Sequence, residues 1–249
     1  MIALRSQREI AKLRAANLMV AQVLQLVKKS VVPGVTTAAL DKIAEDEIVR
    51  QGARPAFKGY AGFPATLCTS INYEIVHGIP SKKRKLKEGD IISIDVGVCL
   101  DGYYGDAAIT VPVGVVSRMS QRLMQVTEES LMLAIAGAVA GEKLYTLSYT
   151  VQQHAEAHGY SVVRDFVGHG IGTELHEPPQ IPNYGKPGTG LTLKSGMVLA
   201  IEPMVNMGGY GVQVLDDGWT AVTRDRKLSA HFEHTIAVTD GDPLILSQI

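Results

Sequence analysis

Cysteine is scarce in this chain. Cys68 and Cys99 are the two among 249 residues, and they form no CxxC pair. A disulfide-stapled miniprotein is therefore excluded, and two isolated thiols suit a reducing compartment. Surplus charge is missing too: 24 Lys and Arg face 25 Asp and Glu, a net charge of −1. Nothing in that balance draws the whole molecule to nucleic acid or an anionic membrane. The strongest apolar run, Leu131 to Ala140, is too short to cross a bilayer. The N-terminus carries Arg5, Arg8, Glu9, Lys12 and Arg14, so it lacks the apolar centre of a signal peptide. No low-complexity linker divides the chain. What is present, 46% apolar and 20% charged residues, is ordinary globular composition. These features point to a soluble cytoplasmic protein with no membrane association. Residues 1–249 are expected to form one domain with a sizeable core, which this length allows.

Local signals place the elements. Ser6-x-x-Glu9 is a capping box, in which the hydroxyl and the carboxylate each satisfy a free backbone N–H at a helix start. Ile10, Leu13, Val20, Leu24, Val27 and Val31 follow at helical spacing, with Asn17 interrupting the stripe and Pro33-Gly34 ending it. A second helix is expected from Thr37 to Arg50 with Gly52 as its stop. Two more are expected over Arg118–Ala140 and Leu147–His158, closed by Gly141 and Gly159. Strand-like composition marks Ile91–Val98, Ala107–Val113, Met197–Val205 and His231–Val238. The stretch from Gly168 to Gly190 reads as strand ends and ordered loop. Helices, strands, helices, strands is an α+β order.

That order contains a repeat. Lys87–Asp95 (KEGDIISID) can be laid on Lys194–Glu202 (KSGMVLAIE): Lys, Gly and Ile coincide and both end on an acid. Asp106-Ala-Ala-Ile-Thr-Val likewise resembles Glu233-His-Thr-Ile-Ala-Val. Each half thus offers two strands with one carboxylate apiece, and the halves are expected to face each other across one site. Alternation in Ile91–Val98 puts Asp95 on a face with Ser93 and Gly97, away from Ile92, Ile94 and Val96. An acid in so apolar a strand must be paired or bind a cation. Any one of Asp95, Asp106, Glu202 and Glu233 could be a structural ion-pair partner; four in matched positions favour a shared role.

His169 lies in Gly168-His169-Gly170, where the glycines let a ligand approach. Four carboxylates and one imidazole suit dications of Mn, Fe, Co or Zn, and two such ions would neutralise four negative charges. Two metals sharing a water make a nucleophile near neutral pH. His154-x-x-x-His158 shares one helix face but lacks the second-position Glu of a zinc protease, so it reads as structural or surface. The run Lys82-Lys83-Arg84-Lys85-Leu86-Lys87 reads either as a solvated loop or as an RNA contact.

With these residues in view, the chain resembles bacterial type I methionine aminopeptidases over its whole length. The resemblance is carried by Ser70-Ile71-Asn72, His77-Gly78-Ile79-Pro80, Asp95-Val96-Gly97 and Gly105-Asp106. It continues in Gly168–Gly172, Leu175-His176-Glu177, Ile201-Glu202-Pro203-Met204 and Phe232-Glu233-His234-Thr235. It implies the pita-bread fold, two pseudo-symmetric halves with helices packed on a curved antiparallel sheet. It also implies two divalent metal ions: Asp95 chelating one, Asp106 and Glu233 bridging both, and His169 and Glu202 completing the other's shell. A metal-bridging water or hydroxide would attack the first peptide bond, with Glu202 as proton shuttle, His176 bonding the carbonyl and His77 contacting the substrate backbone. Methionine would sit in a soft slot walled by Tyr60, Phe63, Cys68, Leu175 and Trp219. Phe63 and Leu175 stand where other aromatics are often found in relatives, and taken singly each reads better as core packing. The implied activity is removal of the initiator methionine from nascent chains whose second residue is small, by an enzyme expected to be monomeric, whose Lys82–Lys87 run is a candidate ribosome contact. The rival readings are a proline-specific aminopeptidase or dipeptidase on the same fold, a creatinase-like hydrolase and a non-enzymatic binding protein. Those proline enzymes usually carry an extra N-terminal domain, and the latter two do not keep all five ligands.

Overall fold

The computed structural model describes residues 2–249. Four helices and a nine-stranded antiparallel sheet organise it, together with two three-stranded sheets. Helix α1 is Gln7–Lys29, and its capping box is formed, with Ser6 Oγ accepting from Glu9 N–H and Glu9 accepting from Ser6 N–H. Helix α2 spans Thr37–Arg50, with Gly52 beyond it in the left-handed region. Helix α3 spans Arg118–Ala136 and α4 Leu144–Ala157. The expected Arg118–Ala140 helix therefore stops early, at Gly137, whose N–H takes up the last carbonyls. The chain then turns at Gly141 into α4, one turn sooner than the expected Leu147.

The main sheet explains the repeat. Strands Ile91–Leu100 and Tyr103–Pro112 form a hairpin in the first half. Strands Val198–Ile201 and Glu233–Ala237 pair in the second. The two inner strands meet at a seam, Glu233 opposite Ala108 and His234 opposite Ala107. The order is thus first strand, second strand, second strand, first strand, a palindrome about that seam. The likeness runs well beyond the matched nonapeptides. Gly34, Gly52 and Gly89 recur as Gly141, Gly159 and Gly196 at one constant spacing, all with positive φ. Gly34 N–H donates to Leu86 and Gly141 N–H to Leu193, again at that spacing.

One face of this sheet is covered by helices. Ile92, Ile94, Val96 and Val98 pack with Val20, Val23, Leu24 and Val27 of α1 and with Leu40, Ala44 and Ile48 of α2. Burial at ~25 cal/mol per Å² makes this apolar layer the dominant stabilising term. Although α1 is long enough to cross a bilayer, its apolar stripe lies in this core. Leu199, Ile201 and Ile236 make the matching layer with Leu123, Leu131 and Ala134 of α3 and Leu147 and Val151 of α4. Asn17, the break in the α1 stripe, is fully buried, and its Oδ1 accepts the backbone N–H of Asp106 at 3.3 Å. The helix can come that close because residue 105 is glycine; a Cβ there would lie 2.8 Å from Asn17 N.

The expected strands Met197–Val205 and His231–Val238 are each broken in two. Val198–Ile201 and Glu233–Ala237 belong to the main sheet, while Met204–Asn206 and Ser229–His231 pair in a small one. The breaks fall at Glu202-Pro203 and at Phe232, because proline removes a ladder donor and both chains cross between sheets side by side. The crossing puts Glu202, His231 and Glu233 at one corner.

Candidate active site

The uncovered face of the sheet carries the acids. Cys68, Asp95, Ala108 and Glu233 stand in one row across four strands. Gly97 and Asp106 form the neighbouring row, and His169, Ala200 and Thr235 a third. Paired residues share a face, so Asp95, Asp106, Glu233 and His169 all project to the same side. Ala108, Ala200 and Gly97 between them keep that floor shallow; a Cβ on Gly97 would already meet the Phe57 ring at 2.6 Å. Above the floor lies a cavity of about 340 Å³, and Asp95, Asp106, His169, Glu202 and Glu233 all line it.

Ligating atoms of Asp106, His169 and Glu233 lie within 4.8 Å of one another. His169 Nε2 is 3.7 Å from Glu202 Oε1 and 4.0 Å from Asp106 Oδ2. On its other side His169 Nδ1 sits 2.9 Å from the Gly170 carbonyl, which can only accept, so Nδ1 carries the proton and Nε2 offers its lone pair to the acids. Asp95 Oδ1, Asp106 Oδ1 and Glu233 Oε1 are buried acceptors with no hydrogen-bond donor. Orphaned carboxylate oxygens are costly in a protein interior unless a cation meets them. Hard oxygens with one imidazole nitrogen form a donor set that fits divalent ions.

Electrostatics agree with that fit. Burial pushes Asp95 up to about 7 and Glu202 up to about 8. Asp106 and Glu233 are raised well above the usual carboxylate range, by burial first and by neighbouring carboxylates second. Four acids this close cannot all ionise without positive charge among them. Burial also holds His169 down to about 3 and His77 down to about 4, and lowers His176, so these rings are neutral near pH 7.

The expected wall residues Tyr60, Phe63, Cys68, Leu175 and Trp219 all line the same cavity, as do His77 and His176. His176 Nδ1 shares a 2.8 Å hydrogen bond with the Tyr60 hydroxyl, and its ring stands 4.3 Å from that of His169. His77 occupies the left-handed region (φ 61°) just before Gly78, where a Cβ would lie 2.2 Å from the Thr69 carbonyl. Its ring meets Phe166 edge-on at 5.3 Å, and Phe63 meets Trp219 in the same manner at 5.1 Å.

Some contributors escaped sequence reasoning. Phe57, Val76, Asp165, Phe166 and Val167 complete the wall. His231 is fully buried, its Nε2 unpartnered and 3.6 Å from Glu202 Oε2. Its position two residues before Glu233 was the available signal. His154 and His158 lie away from this cavity, His154 bonding Glu129 at 3.1 Å. The Lys82–Lys87 run divides: Leu86 is core, Arg84 pairs with Glu74 at 2.7 Å, and the four lysines are exposed.

A family model described as metallopeptidase family M24 matches residues 11–240. A methionine aminopeptidase of Clostridium perfringens is 52% identical, the alignment covering 100% of both chains. The crystal structure of methionine aminopeptidase from Rickettsia prowazekii superposes with a TM-score of 0.98 at 46% identity, over 99% of this chain and 100% of that one. A prolidase from Pyrococcus horikoshii matches 98% of this chain and 63% of its own, with a TM-score of 0.80 at 21% identity, a likeness of fold alone. The shared architecture is the pita-bread fold, with mixed helices and antiparallel sheet as expected.

Proposed function

The chain belongs to metallopeptidase family M24, and from that premise we propose that it removes the initiator methionine from nascent polypeptides whose second residue is small. The observation that carries this reading is the convergence of four carboxyls, three of them with a buried oxygen that no donor meets, one imidazole and an apolar, aromatic-walled slot on a single cavity. Near-half identity to methionine aminopeptidases over the full length supports the substrate.

Asp95, Asp106, His169, Glu202 and Glu233 would hold two divalent ions, whose charge balances the four carboxylates. Such ions, when bound, lower the pKa of a shared water and polarise a carbonyl oxygen. The chain's own residues do the rest. Tyr60, Phe63, Cys68, Leu175 and Trp219 receive the methionine side chain, whose thioether gains from aromatic edges. His176, a neutral donor at the rim of the acids, hydrogen-bonds the scissile carbonyl as charge develops on its oxygen. His77 contacts the substrate backbone. Glu202, facing both His169 and His231, carries a proton from the attacking water to the leaving amine.

Residues 1–249 act as one catalytic domain, monomeric and cytoplasmic. The four exposed lysines of Lys82–Lys87 offer the ribosome a basic contact where new N-termini emerge. Charge reversal there should weaken ribosome binding at low salt, and unchanged binding rejects the contact.

The test of the activity is chelator-stripped protein given Mn, Fe, Co or Zn in turn, with Met-Ala-Ser and Leu-Pro-Ala competing. Ion-dependent release of methionine alone supports the reading and ranks the ions. Release of leucine ahead of proline transfers the chain to the proline-specific relatives. Ion binding without any release leaves a binding protein.

A further inference from the structure

The segment ahead of α1 reaches across to the loop that carries His176. We propose that Arg5 is a positioning residue for His176, acting by locking the Gly172–Glu177 loop through Glu177. The inference rests on the reading of His176 as a substrate-contacting group.

Glu177 Oε1 is the hub of the loop. It accepts the backbone N–H of Thr173 at 2.8 Å and of Glu174 at 3.1 Å, so the carboxylate folds back and closes the turn that projects Leu175 and His176. Arg5 Nη2 donates to the same oxygen at 2.6 Å and contacts Oε2 as well. The pair is largely shielded from water, with side-chain exposures of 9% for Arg5 and 14% for Glu177. In such a setting one partner without the other is an uncompensated charge.

The surroundings are shaped around that guanidinium. A Cβ on Gly172 would lie 2.0 Å from Arg5 Nη2, so glycine leaves the space the side chain fills. Arg5 N–H donates to the Gly196 carbonyl at 2.7 Å, and a Cβ on Gly196 would lie 2.9 Å from the Arg5 carbonyl oxygen. Tyr104 N–H fixes Gly172 from below at 2.9 Å. The loop is thereby held at its base by the sheet, where Glu177 opens a strand opposite Gly170, and across its two ends by Arg5. The other polar restraint on His176 is the Tyr60 hydroxyl, on a residue that is itself exposed. Without Arg5 the carboxylate would turn to solvent and release Thr173 and Glu174, leaving His176 on an open turn. A donor displaced by about 1 Å from its working position costs up to ~100-fold in rate.

The experiment compares Arg5→Met, Arg5→Ala, Arg5→Lys and Glu177→Gln with the parent chain. It uses two readouts: steady-state methionine release from Met-Ala-Ser with saturating Mn, and amide hydrogen exchange resolved over residues 172–178. Expected for Arg5→Met and Glu177→Gln is a kcat lower by about an order of magnitude or more with KM little changed. Exchange in the loop should rise while that of Ile91–Leu100 stays the same. Arg5→Lys should fall between, since an ammonium lacks the fork that spans both oxygens. Guanidinium ion at tens of millimolar should restore part of both signals in Arg5→Ala and neither in Glu177→Gln. Unchanged loop exchange in Arg5→Met overturns the proposal, as does a loosened loop with kcat intact. Should Arg5→Met fail to fold, Glu177→Gln and the Arg5→Ala rescue decide in its place. Should the parent chain release no methionine with any ion, the activity reading fails, and loop exchange alone then supports or overturns the lock.

Discussion

Stripping divalent ions from this protein and raising the pH from 7 to 8 should destabilise it. A carboxyl whose folded-state pKa lies above its unfolded value holds a proton that the unfolded chain has already released. Its folded form is therefore disfavoured progressively as pH rises through the folded value. Glu202 stands at about 8 and Asp95 at about 7, against ordinary values of 4.5 and 3.8. At ~1.4 kcal/mol per protonated group per pH unit, Glu202 loses ~1.0 and Asp95 ~0.4 kcal/mol across this interval. Asp106 and Glu233, held higher still by burial and by each other, add up to ~1.4 kcal/mol each. The neutral, depressed histidines His77, His169, His176, His231 and His234 act in the opposite direction. Their unfolded counterparts have mostly released their protons by pH 7, so together they return under ~1 kcal/mol. The net loss, at most ~3 kcal/mol, corresponds to a Tm lower by up to roughly 6–12 °C for a chain of this size. Ion-loaded protein should differ, because a cation keeps the carboxyls ionised at both pH values. The assay is calorimetric melting of chelated and Mn-loaded protein at pH 7 and 8, at matched ionic strength. A Tm of the chelated protein that stays level or climbs across that interval refutes the reasoning.

Glu202→Gln should leave the fold intact and raise the melting temperature of the chelated protein at pH 8, because Gln lacks the proton linkage that burial imposes on Glu202, while methionine release falls ~100- to 10,000-fold, the range of general acid–base catalysis; near-parental turnover in a steady-state assay assigns the proton elsewhere. His176→Ala should lower kcat by ~100-fold or more with KM nearly unchanged, because its hydrogen bond strengthens as charge develops; a pure rise in KM makes it a ground-state contact instead. Asn17→Leu leaves the backbone N–H of Asp106 buried without an acceptor, at a cost of ~1–3 kcal/mol measured by denaturant titration. A loss confined to ion affinity there, without loss of stability, would contradict that account.

Much of the site was legible because its chemistry is local in sequence. An acid at the end of an apolar strand, or a histidine between glycines, is costly enough to be visible without coordinates. The helix ends were legible where a cap carries the signal: Ser6-x-x-Glu9 and the Thr37–Arg50 segment came out as read. Arg118–Ala140 ran too long because Ala138 and Val139 continue an apolar pattern that Gly137 has already ended. The strand breaks at Glu202-Pro203 and Phe232 were hidden because both halves of each strand are equally apolar, and only the pairing partner changes. Asn17 looked like a flaw in a stripe; its partner is far away in the chain, so no window of sequence contains the reason. Arg5 and Glu177 were unreadable as a pair for the same cause.

The palindrome of the main sheet has a consequence for direction. A cradle whose two sides repeat each other has no means of telling the amino end of a peptide from its carboxyl end. A peptidase that trims from one end must take its polarity from whatever the two sides do not share. Here the unshared parts are conspicuous. The second half makes a long excursion between its two acids, residues 203–232 against 96–105 in the first, and Trp219 comes from it. That excursion pairs with the strand leading to His77 on the opposite side. The carboxylates thus belong to what is duplicated, and the sense of reading along the substrate belongs to what the two halves do not share.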